Sequence, residues 1–218
     1  MFLKIQSLLL LDVVNLNLEI CELVGAFIGD GYLSAFGKSQ VVVGFAGNAV
    51  LDKDYLQNHL FNLIKRNFPF TNPRVRIRND ENTIMLRVYS KDFFSFFLQL
   101  GFKPGKKSRT VTIPSLILEN EQYLGATIRG IFDTDGCLFF DKRKIYKKPY
   151  PRIVLQMASI PLIEQLEKYL SIDFSLFVDK SNRDGKRNSL EIYGYPQLER
   201  FLKQIGFSNQ RHKSKVPL

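Results

Sequence analysis

Two spacings of apolar residues alternate along the chain. In LVGAFIGDG at 23–31 and again in IRGIFDTDG at 128–136, small and apolar residues recur at helical steps, and each run closes on Asp-Gly. Alternating stretches near 31–47, and near 137–143 and 151–157, carry the two-residue period of strands. LDKDYLQNHLFNLIKRNF at 51–68 and PLIEQLEKYL at 161–170 return to helical spacing. Then RVRIR at 74–78 and TIMLRVY at 83–89 alternate around the turn NDEN, and strands near 173–180 and 189–194 surround NRDGKRN. KDFFSFFLQLGF at 91–102, with Gly101 as a C-cap, and PQLERFLKQIGF at 196–207 read as closing helices. The predicted order is αββαββα, twice: an α+β architecture with an antiparallel four-stranded sheet in each half.

The two halves are copies. Shifting the sequence by 105 residues lays Gly25 on Gly130, Asp30 on Asp135, Gly31 on Gly136, and FLQLGF at 97–102 on LKQIGF at 202–207. The predicted domains are 1–118, with a core from about 19, and 119–218. SLILENEQ reads as a short linker between them. Within the first helix Cys21, Gly25 and Gly29 recur every four residues, as do Ala126, Gly130 and Thr134 in its counterpart. Residues at i and i+4 share a helix face, and a face of small residues lets two backbones approach. Such helices would pack along a pseudo-twofold axis, with Asp30 and Asp135 emerging side by side. Two carboxylates at the negative ends of helix dipoles repel each other. A divalent cation resolves that conflict, and Mg²⁺ favours a few carboxylates plus waters and phosphate oxygens.

Composition narrows the partners. With 31 basic and 21 acidic residues the net charge is +10, which favours a polyanion, either nucleic acid or an anionic membrane. No apolar run reaches the ~18 residues of a membrane span. The start, MFLKIQSLLLLDVV, has a short apolar run but no small-residue cleavage site, so no signal peptide is expected. Cys21 and Cys137 form no metal or disulfide motif and favour a reducing, intracellular compartment, organelles included. His59 and His212 lack ligand spacing and read as solvated or locally bonded side chains.

The strands separate nucleic acid from membrane. Arg74, Arg76 and Arg78 alternate with Val75 and Ile77, so the arginines share one strand face. Thr83, Met85, Arg87 and Tyr89 are expected on the outer face of the next strand. In the second half Arg152, Val154 and Gln156, and then Ser189, Glu191 and Tyr193, alternate with aliphatics. Ser34, Lys38, Gln40 and Arg143 join these as expected DNA contacts. A β-ribbon fits the major groove, where Arg takes guanine and Glu takes cytosine. Two sheets end to end would span ~50 Å, about 15 base pairs. Lys106, Lys107, Lys142, Lys144, Lys147 and Lys148, with Arg143, are expected at phosphates.

LVGAFIGDG and IRGIFDTDG resemble the two copies of the LAGLIDADG motif, and the chain resembles single-chain, two-motif LAGLIDADG homing endonucleases from about Glu19 onward. The resemblance implies a DNA-binding saddle of two sheets and Mg²⁺-dependent double-strand breaks in duplex DNA by a monomer. It implies that Asp30 and Asp135 hold metal, with backbone carbonyls from Gly29 and Thr134. Asp133, at the motif's sixth position where the first copy has Ile28, reads as structural. A polar residue late in the second strand of each half arranges solvent in the family. Gln156 matches in the second half, whereas Ala46 departs from the pattern in the first. Lys107 and Lys213, each followed by Ser, are the expected basic catalytic residues. The chain shows no flanking Cys and no terminal His-Asn of a splicing intein, so an intron-encoded or freestanding protein is expected. An intron maturase, with intron RNA as partner, and a non-cutting DNA-binding regulator are the rival readings.

Overall fold

The computed structural model describes residues 15–36, 40–182 and 188–216. The N-terminal apolar run, Lys38 and the centre of the NRDGKRN turn lie outside them. Each half opens with a capped helix. Asn17 accepts from the Ile20 amide at 2.8 Å to start α1 (Leu18–Asp30), and Asn120 accepts from the Gln122 and Tyr123 amides to start α5 (Glu121–Asp135). Glu19 and Glu121 stand in the first turns, where the helix dipole favours acids. Both helices end at Asp-Gly, as the sequence predicts.

Four antiparallel strands follow each helix. β1 (Gly31–Phe36), β2 (Gln40–Asn48), β3 (Arg74–Arg78) and β4 (Thr83–Val88) order as β1-β2-β4-β3. β5 (Gly136–Asp141), β6 (Tyr150–Met157), β7 (Asp179–Asn182) and β8 (Asn188–Tyr193) repeat that order. Between the strand pairs, π-helical turns at Tyr55–Leu60 run into α2 (Phe61–Asn67), and α6 (Ile160–Ile172) takes the equivalent place. α3 (Lys91–Gln99) and α7 (Tyr195–Gln204) close the halves. Gly101 at φ +90° ends α3 as expected, with Gly206 at φ +71° beyond α7.

Two expectations change. SLILENEQ is not a plain linker: it holds the short helix α4 (Ser115–Leu118) and the first turn of α5. The strand expected at 173–180 begins only at Asp179. Phe174 and Leu176 point instead into the core, each 2% exposed, and Ser175 takes a left-handed φ of +50° that breaks the strand.

The cores of the two halves repeat the duplication in aromatic packing. Phe27 of α1 meets Phe97 at 4.2 Å and Phe102 at 4.9 Å between ring centroids. Phe132, its counterpart on α5, meets Phe201 at 5.3 Å, and Phe201 meets Phe207 at 5.1 Å. Each cluster pins the C-terminal turn of its motif helix to the closing helix of its own half. That fixes where Asp30 and Asp135 emerge.

Candidate metal and nucleic-acid site

The site is built on the contact between α1 and α5. A Cβ on Gly25 would lie 2.0 Å from the Thr127 carbonyl oxygen, and one on Gly130 would lie 2.2 Å from the Glu22 carbonyl oxygen. The backbones therefore touch where the sequence placed small residues. Thr127 Oγ1 also donates across the interface to the Cys21 carbonyl at 3.1 Å. At the next turn Gly29 faces Thr134 and Asp135: a Cβ there would sit 2.6 Å from Asp135 Oδ2. The missing side chain of one motif makes room for the acid of the other.

Asp30 and Asp135 are thus brought together, half-buried. Burial and the repulsion of Asp135 and Asp52 push the Asp30 carboxyl up to about 7, against the attraction of Arg211 and Lys107. Burial also raises Asp135, opposed by the same two cations. Lys107 donates to the Ile28 and Gly29 carbonyls at 2.5 and 2.7 Å, and burial lowers its ammonium to about 8 even though Asp135 and Asp30 oppose that shift. Lys107 therefore stands where the sequence expects a basic residue.

Lys213 does not. It lies exposed in the short helix α8 (Gln210–Lys213), and Arg211 holds the equivalent place. Arg211 donates through Nη2 to the carbonyls of Asp133 and Thr134, and through Nη1 to Asp52 Oδ1 at 2.9 Å. The carbonyls of Gly29 and Thr134, expected as metal ligands, each accept from one of these two cations. A carbonyl oxygen has two lone pairs, so each keeps an acceptor site. Among the described residues no group of three or more His, Cys, Asp or Glu side chains converges. Two carboxylates with main-chain carbonyls form an all-oxygen donor set, which fits a hard divalent cation such as Mg²⁺ completed by water and phosphate. It lacks the His nitrogen and Cys sulfur ligands on which protein zinc sites are mostly built.

Several further residues support the site, and of these Asp52 and Glu22 carry no sequence signal. Asp133 is fully buried and accepts from the Ser208 and Asn209 amides at 2.8 and 3.0 Å, which is the structural role expected of it. Asp52 accepts from Asn209 Nδ2 at 3.0 Å and from the Asn48 amide at 2.9 Å, so it joins the halves beneath Arg211. Buried Glu22 pairs with His59 at 2.5 Å and Arg129 at 3.2 Å. His59 is locally bonded, as expected. His212 is not solvated: it is 1% exposed, and burial drives its imidazole down to about 3.

The raised acids give a stability prediction. A carboxyl raised from 3.8 to about 7 on folding binds more protons in the folded state between those values. Its contribution is fully present below pH 4 and is lost as pH rises through 7. The difference in Tm between Asp30→Asn and the metal-free wild type should therefore move in favour of the variant from pH 4 to pH 8. A difference that stays constant across thermal melts in that range contradicts this account of the acid pair.

The outer sheet faces carry most of the expected DNA contacts. Register places Tyr32, Gly44, Arg87 and Arg74 in one row across the first sheet, with Ala46, Met85 and Arg76 in the next. Ser34 and Gln40 lie on the same face by alternation. Arg74, Arg76 and Tyr89 are exposed, and Arg78 pairs with Glu81 at 2.5 Å. Met85 is buried to 9%, against expectation, because Arg87 Nη2 lies over its sulfur at 3.0 Å. In the second sheet Gln156 and Asp135 line one cleft of about 520 Å³ with Val154, Arg152 and Arg143. Ser189 and Glu191 are buried rather than open, at 2% and 8%. Glu191 ion-pairs with Arg152, while Tyr193 packs near Arg152 at 5.9 Å. Among the described residues no helix is long and apolar enough to cross a membrane.

The description "LAGLIDADG-like domain" matches residues 122–206. Over 205 residues, 92% of the chain, the sequence is 30% identical to the replication factor C small subunit of Methanocaldococcus jannaschii, and the chain spans 10% of that relative's length. Among solved structures, I-DmoI in complex with DNA and Mn superposes with a TM-score of 0.62 at 17% identity, covering 87% of this chain and 98% of that one. I-WcaI bound to its DNA recognition sequence superposes with a TM-score of 0.60 at 20% identity, covering 92% and 86%. At these identities the two structures speak for the fold. With a doubled Asp-Gly motif on packed helices and two four-stranded antiparallel sheets, the chain matches the LAGLIDADG-like domain over residues 122–206 and shares the fold of the I-DmoI and I-WcaI structures.

Proposed function

We propose that the chain is a site-specific endonuclease that makes divalent-metal-dependent double-strand breaks in a long DNA target and acts as a monomer. The observation that carries this reading is the pairing of Asp30 with Asp135 at the ends of crossing helices, each end served by its own cation, Lys107 or Arg211. Both acids come from one chain, so a second copy is not needed to complete the pair. A divalent metal, when bound there, lowers the pKa of the attacking water and stabilises the leaving 3′ oxygen. Lys107 and Arg211 hold positive charge beside the place where the phosphate gains negative charge. The +10 net charge and the exposed arginines of β3 draw duplex DNA to the sheets. That a replication factor C small subunit carries the matching segment within a much longer chain favours an element inserted in host genes. A site-specific cut, from an intron or another insert, serves such an element.

The test is a cleavage selection on randomised duplex DNA in Mg²⁺. Cut fragments should share one long sequence, and EDTA should abolish them. Tight, salt-sensitive binding with no cut under any divalent metal would point to the regulator instead.

The two halves should cut at different rates. Gln156 is exposed and shares the Asp135 cleft, whereas Ala46 has no side-chain hydrogen bond to offer water in the first half. An oriented hydrogen bond worth about 1.4 kcal/mol in the transition state is about tenfold in rate. A nicked intermediate should accumulate on supercoiled target, and Gln156→Ala should slow one strand by about tenfold. Equal strand rates, unchanged by Gln156→Ala, would remove this glutamine from the reaction.

A further inference from the structure

The outer faces of the two sheets have opposite hydrogen-bonding inventories. On the first, Arg74, Arg76 and Arg87 form no ion pair with a carboxylate among the described residues; Arg74 stands directly opposite Arg87 and Arg76 opposite Met85. Tyr32 lies across Gly44, where an added Cβ would meet its ring at 2.2 Å. Its hydroxyl accepts from Arg87 Nε at 2.9 Å, so that side chain reaches across Gly44 toward β1. Arg74 in turn lies 5.8 Å from the Tyr89 ring. Arg76 is exposed, and no hydrogen bond or ion pair from the described residues holds it.

The second face matches the first in backbone and differs in chemistry. Its arginine, Arg152, has an acceptor at each of its three nitrogens: Asp141 at Nε (3.2 Å), Glu191 at Nη1 and the Tyr146 hydroxyl at Nη2 (2.9 Å). Its charge is matched by two acids, and Asp141 also binds Arg143 at 2.6 Å. Apolar side chains stay open beside this cluster, next to exposed Gln156. Cys137 and Phe139 are exposed, Phe139 to 39%, and Val154 is half-buried opposite Cys137 by register.

We propose that the two sheets read chemically different half-sites, the first guanine-rich through Arg74, Arg76 and Arg87, the second thymine-rich through Cys137, Phe139 and Val154, with Arg152 withheld from bases. Arginine is the commonest specific partner of guanine O6 and N7, and apolar side chains recognise the thymine methyl. An arginine already paired with two carboxylates would have to break those bonds to reach a base, whereas an exposed ring loses nothing by meeting a methyl group. This inference rests on the reading of the chain as a duplex-DNA binder.

The full-length protein in EDTA, selected against duplexes with a randomised core, tests it. The recovered sites should hold guanine in one half and thymine in the other. Arg76→Ala should lower the guanine preference at one position by about tenfold and leave the thymine half unchanged. Phe139→Ala should relax the thymine half alone; both residues are exposed, so both variants should fold. Tight binding to sites whose halves share one composition would overturn the proposal and leave DNA binding intact. So would a guanine preference untouched by Arg76→Ala and Arg74→Ala. Failure to retain any duplex would overturn the DNA-binding reading along with it.

Discussion

Gly130→Leu should lower the melting temperature by roughly 10 °C or more, and Gly25→Leu should do the same. Overpacking a core costs ~1–3 kcal/mol when neighbouring side chains can shift. Here the obstacle is backbone. The first carbon of any side chain at Gly130 would lie 2.2 Å from the Glu22 carbonyl oxygen and 2.6 Å from the Ala26 nitrogen, both inside α1. Relief requires moving one whole helix, with its aromatic cluster, away from the other. A loss above ~3 kcal/mol corresponds to about 10 °C for a chain of this size. Gly125 supplies the control. It sits on the same helix, but a Cβ there would meet the Phe174 ring at 3.4 Å and the Gln204 carbonyl oxygen at 3.7 Å, with no clash. Gly125→Ala should be nearly neutral, since Ala restores helix propensity worth roughly 1 kcal/mol. Thermal melts of the three variants decide the matter. Equal melting temperatures would mean that the helices do not depend on this crossing.

Asp30→Asn, or Asp135→Asn, should abolish double-strand cleavage while DNA binding survives. An amide keeps the shape and much of the hydrogen bonding of the carboxylate but cannot supply the charge that a hard cation needs. Losing transition-state stabilisation on the order of 4 kcal/mol slows a reaction about 10³-fold. Binding should persist because the arginines of the sheets lie away from the helix ends, and removing a negative charge beside a polyanion weakens nothing in Coulomb terms. Single-turnover cleavage and a gel-shift on the same samples separate the two effects. Cutting at the wild-type rate by either variant at saturating Mg²⁺ would remove that acid from the metal site.

Duplication made the fold legible. A repeated motif at fixed offset predicted two equivalent halves, and small residues every fourth position predicted the contact at Gly25 and Gly130. The strand positions along the chain followed from alternation, except at 173–178, where Phe174 and Leu176 look like strand residues but fill the core of the second half from an irregular segment. The site was legible where chemistry sat inside the repeat, at Asp30, Asp135 and Lys107. It was not legible at Arg211. The matched pairs Gly-Phe and Lys-Ser align Lys107 with His212 or Lys213, while the guanidinium that reaches the helix end comes from one residue earlier, 104 positions after Lys107. Asp52, in a stretch that reads as a surface helix, became a buried partner because Asn209 and Arg211 of the other half meet it. Contacts of single polar side chains between halves leave no trace in a local pattern. Arg152 illustrates the same limit: alternation put it on the outer face, and only the fold shows Asp141 and Glu191 consuming its charge.

Asp30 and Asp135 are proposed to hold a divalent cation against bound DNA. Mn²⁺ titrated into the complex of full-length protein with a selected duplex, followed by the loss of the free-ion electron paramagnetic resonance signal, tests it most directly. Wild-type complex should take up the ion, and Asp30→Asn/Asp135→Asn complex should take up markedly less while retaining its DNA. Equal uptake by the two complexes would contradict the account.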